Sequence, residues 1–62
     1  MKLIEFIPTP NKPGFECRMY YHNGKYLVFY DIHEDSEILD EDKATIHSTY
    51  EEAFDAMKGI KE

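Results

Sequence analysis

The sequence predicts an α+β fold, a small antiparallel sheet of three to four strands packed against one C-terminal helix in the order β-β-β-(β)-α. Three observations predict it. Two alternating runs flank Asn23-Gly24, a proline-rich link sets a first apolar run apart from them, and the chain closes with the signals of a capped helix. The whole of 1–62 reads as one domain.

Leu3 to Ile7 reads as the first strand, with Leu3, Glu5 and Ile7 pointing one way and Ile4 and Phe6 the other. Pro8, Pro10 and Pro13 make the following link stiff, because each fixes φ and removes a donor, and Gly14 frees the chain to enter the next strand. The link is too short for a helical crossover, so the first strand should lie antiparallel to the second.

Asn23-Gly24 reads as a type I′ turn, in which both central residues need positive φ. A tight turn places His22 opposite Lys25. One face of the hairpin then collects Phe15, Cys17, Met19, Tyr21, Tyr26, Val28, Tyr30 and Ile32, and is the expected core. The other collects Glu16, Arg18, Tyr20, His22, Lys25, Leu27, Phe29 and Asp31, with Glu16 opposite Asp31 and Arg18 facing the Phe29 ring. Tyr20, Leu27 and Phe29 give this second face an apolar centre that needs cover.

Lys43 to Ser48 reads as one more short strand. Ser48 or Thr49 caps the helix that follows, Glu51 and Glu52 occupy its first turn, and Tyr50, Ala53, Phe54 and Met57 form its apolar face. Phe54 is expected at the centre of the helix–sheet contact. Lys58 and Gly59 mark the stop, with Ile60 placed for the apolar contact that accompanies a glycine cap.

Thirteen acidic residues against seven basic ones leave a net charge of −6. That disfavours direct nucleic-acid binding, which relies on Lys and Arg neutralising phosphates. The single cysteine, Cys17, excludes an internal disulfide and falls on the core face. No signal peptide or membrane span is visible in the sequence, so a cytoplasmic protein is expected. The three histidines are scattered without helical ligand spacing, and neither a nucleophile elbow nor a phosphate loop occurs. No metal, no cofactor and no enzymatic activity are expected.

Two features remain as candidates for function. Asp31, Glu34, Asp35, Glu37, Asp40, Glu41 and Asp42 form an acidic run without Lys or Arg. Its carboxylates could complement a basic groove on a partner and stand in for the phosphates of a nucleic acid. Arg18, Tyr20, Leu27 and Phe29 form the second candidate, an apolar centre with a charged rim, which is the anatomy of an interface.

The resulting expectation is a non-enzymatic interaction module that modulates a larger protein with a basic or apolar groove. An inhibitor or regulator from a phage or mobile element would suit its size and charge. The alternative is a structural homodimer or accessory subunit joined through Tyr20, Leu27 and Phe29, and under either reading a two-fold homodimer through that face is the expected oligomeric state. A monomer would instead need that face covered by the acidic segment folding back through Ile38 and Leu39.

From Ser48-Thr49-Tyr50-Glu51-Glu52-Ala53 onward, the chain resembles a pattern of several small β-β-β-α modules. Antitoxin domains of the HicB type and arm-type DNA-binding domains of tyrosine integrases are among them. The basic sheet face of the integrase domains and the glycine-rich helix approach of the HicB type are both missing, so no residue role carries over.

Overall fold

The computed structural model describes residues 1–36 and 39–59. Four strands, β1 (Lys2–Pro8), β2 (Phe15–His22), β3 (Lys25–His33) and β4 (Thr45–His47), form an antiparallel meander in the order β1-β2-β3-β4. One helix, α1 (Tyr50–Lys58), lies across it. This is the α+β architecture that the alternation and the cap signals predict. No helix among the described residues is long and apolar enough to cross a membrane.

The turn between β2 and β3 has φ of 52° at Asn23 and 78° at Gly24, and His22 pairs with Lys25. Register from the turn to Arg18–Phe29 follows the tight-turn expectation. Beyond it the pairing shifts by one. Tyr30 and Asp31 together oppose Cys17, and Asp31 takes φ of 54°, a left-handed conformation that aspartate tolerates better than most residues. Past this bulge Glu16 pairs with Ile32 rather than Asp31, and Phe15 pairs with His33. Ile32 therefore joins the second face instead of the core face.

A second bulge corrects the reading of β1. Leu3 pairs with Tyr20 and Glu5 with Met19, leaving Ile4 as the extra residue. Ile4 and Ile7 pack against the core, while Leu3 and Phe6 end on the same outer face, 44% and 54% exposed. Strict alternation would have separated them.

The core lies between sheet and helix. Cys17, Met19, Val28, Ala53 and Met57 are essentially solvent-free, with Ile4, Ile7, Tyr26, Tyr30 and Phe54 packed around them. Thr49 caps the helix, its hydroxyl accepting from the Glu52 amide at 3.2 Å. Met57, not Phe54, occupies the centre of the contact. Phe54 sits at the rim, stacked on Tyr50 at 5.8 Å with the Lys58 ammonium 5.1 Å from its ring centroid. Gly59 ends the helix at φ −70°, so the stop does not use a left-handed glycine. The expected Ile60 contact lies outside the described residues.

Candidate functional site

The chain leaving β3 returns over the second face as a strap, fastened to Arg18 and, through the Glu34 amide, to the Gly14 carbonyl at 2.9 Å. The Arg18 guanidinium donates to the backbone carbonyls of Ser36 at 3.0 Å, Glu34 at 3.1 Å and His33 at 3.4 Å. Its Nε pairs with the Glu16 carboxylate, and it reaches the Tyr20 hydroxyl at 3.4 Å. Burial pulls the Arg18 pKa down, but the bonds to Glu16 and Tyr20 more than offset this and raise it above the ordinary value. A buried guanidinium is tolerable only when its donors are satisfied, and here they are. The expected stacking over Phe29 gives way to this network; Phe29 instead meets Tyr20 edge-on at 5.5 Å.

The strap closes the apolar centre. Leu27 and Phe29 are 5% and 2% exposed, Arg18 is buried, and Tyr20 is half-buried. The second face thus receives its cover from its own chain. Leu39 is half-buried in the returning segment; Ile38, the other expected anchor, and Glu37, one of the seven acids, lie outside the described residues. A short 3-10 turn over Glu41–Lys43 follows, the Asp42 amide donating to the Asp40 carboxylate at 3.0 Å. A recess lined by Phe29, Tyr30, Asp31, Ile32, Asp40 and Lys43 marks where this turn meets β3.

Among the described residues, Arg18 binds carbonyls of the strap and not its carboxylates. Asp31, Glu34, Asp35, Asp40, Glu41 and Asp42 are all exposed. Asp31 meets Lys12 at 3.4 Å and Asp35 lies 4.0 Å from the His33 ring, both at the surface, where such contacts contribute little. The result is an acidic ridge whose described carboxylates face solvent while the Glu34 and Ser36 carbonyls turn to Arg18.

Sequence reasoning did not find a second polar chain on the opposite, helix-covered face of the sheet. The Tyr30 hydroxyl lies 3.1 Å from Thr45 Oγ1, which lies 2.8 Å from His47 Nε2. The Glu52 carboxylate is 3.7 Å from His47 Nδ1. These contacts join β3, β4 and the first turn of α1, and anchor a strand only three residues long. Spacing of two residues between Thr45 and His47 on one strand face was the available signal.

Cys17 is fully buried, and burial, helped by the charge of Asp31, pushes its thiol up to about 11. That is the profile of an inert core thiol. Among the described residues no group of three or more His, Cys, Asp and Glu side chains could hold a metal ion. No protein-family model matches the chain, and no curated protein or solved structure matches it significantly.

Proposed function

We propose that this protein is a non-enzymatic interaction module that binds a larger protein through the acidic ridge of its strap. The supporting observation is the tethering of that ridge. Arg18 holds the strap backbone through the carbonyls of Glu34 and Ser36 and the end of β3 through that of His33, which gives the outward carboxylates a defined base. A pre-ordered charged surface loses less entropy on binding than a free acidic loop and speeds encounter with a basic partner. A basic groove that ordinarily holds nucleic acid is the natural complement, which would make the protein a regulator or inhibitor of such a partner. The homodimer alternative is not favoured, because Leu27 and Phe29 offer almost no surface while the strap is in place.

Affinity capture from the cell of origin tests this, using the parent, an Asp40→Asn/Glu41→Gln/Asp42→Asn variant and a variant with altered charge on the exposed side of α1. A partner retained by the parent at low salt and lost with the neutralised strap supports the reading. Equal retention by the strap variant, or retention indifferent to salt, contradicts it.

A further inference from the structure

The bulge at Ile4 creates a surface the alternating pattern would not. It turns Leu3 and Phe6 onto the same outer face, 44% and 54% exposed, on the edge strand of the sheet. Phe6 pairs directly with Arg18. Its side chain therefore stands about one strand spacing, ~4.8 Å, from the residue that carries the strap. The carbonyls of Glu34 and Ser36 rest on that same Arg18. An exposed apolar pair thus borders the acidic ridge, with half-buried Tyr20 beside Leu3 as its floor. Ile46, 65% exposed, lies beyond Leu27 on the far edge and takes no part.

A second copy of this chain is a poor occupant for the surface. Each copy brings a net charge of −6, and the bulge and Pro8 interrupt the edge that flat strand pairing requires. Charge complementarity selects a different occupant. Resting on the reading of the strap as a docking ridge, we infer that the partner presents a basic amphipathic segment. Its apolar side chains cover Leu3 and Phe6, and its Lys or Arg residues reach Glu34 and Asp35. Apolar contact supplies affinity at the centre and charge supplies steering at the rim.

The probe is a short synthetic peptide of alternating lysine and leucine, titrated into isotope-labelled protein and followed residue by residue by NMR, with a glutamate–leucine peptide as control. Leu3→Ser/Phe6→Ser and Glu34→Gln/Asp35→Asn are compared with the parent; all four side chains are exposed, and the free spectra check that each variant is folded. The inference expects shifts at β1, Tyr20 and the strap, no binding of the control peptide, and about tenfold weaker binding by the serine variant. The Gln/Asn variant should bind more weakly and lose salt dependence. Full binding by the serine variant with strap dependence intact overturns this inference and leaves the docking ridge standing. Shifts centred on the helix, or binding indifferent to both variants, overturn both. No binding at millimolar peptide overturns the inference.

Discussion

The central hairpin is covered on one face by α1 and on the other by the strap, and the two covers work by different means. Under the helix, Ala53 and Met57 meet Cys17, Met19 and Val28 in an apolar contact, with polar ties at its rim from Tyr50 to Glu5 and from Glu52 to His47. Many weak contacts share the load there, so no single atom holds the helix down. Under the strap, one guanidinium bonds three carbonyls and closes the cover over Leu27 and Phe29. The first cover is distributed, and the second concentrates on one side chain, with the Glu34 amide on the Gly14 carbonyl at 2.9 Å as a further tie.

That contrast orders the expected effects of mutation. A domain of 62 residues should have a total stability of about 3–9 kcal/mol, so single changes can consume much of it. Leu27→Asp should be the most damaging. It would place a carboxylate without a partner beneath the strap, costing upwards of ~4 kcal/mol, and circular dichroism should show a largely unfolded chain at 25 °C. A parent-like melt for that variant would mean that the strap does not cover Leu27. Arg18→Met keeps the apolar stem but strands Glu16 and releases the strap, at a cost of about 3 kcal/mol by urea titration.

The helix side sharpens the comparison by rank. Met57→Ala should cost ~2–4 kcal/mol and Phe54→Ala only ~1–2, because the Phe54 ring is half solvated at the rim. The reverse order would return Phe54 to the centre of the contact. Cys17 adds a pH signature to the same core. Its thiol ionises at about 11 in the folded protein against an ordinary 9.0, so the unfolded chain releases its proton first. Stability from this group is complete below pH 9 and is lost as pH rises toward 11. The parent should therefore lose more stability across that window than Cys17→Ala, and parallel curves would contradict the burial. Smallest of all, Asp40→Asn/Glu41→Gln/Asp42→Asn should change stability by no more than ~0.5 kcal/mol, since these carboxylates face water.

Legibility in the sequence follows the same division. The helix-covered face could be read because its residues recur with the periods of their own elements, and because Asn23-Gly24 and Thr49 carry strong local preferences. Both bulges escaped. An extra residue leaves no mark in composition, yet Ile4 and Asp31 each move their neighbours to another face. The acidic run was visible as charge, and Arg18 was visible as a member of the second face. Their connection was not visible, because Arg18 binds backbone carbonyls that every residue possesses. Phe54 was misplaced for a related reason: periodicity assigns it to the apolar face but does not say whether Met57 or Phe54 lies nearer the centre.

The dependence of the strap on Arg18 is tested most directly by backbone ¹⁵N relaxation of the parent and Arg18→Met. In the parent, amides of Ser36 and Glu41–Lys43 should have order parameters near those of the sheet, about 0.8, falling below about 0.6 in the variant while β2, β3 and the Glu34 amide, held by the Gly14 carbonyl, stay rigid. A strap already mobile in the parent, or equally rigid without the guanidinium, would contradict the account.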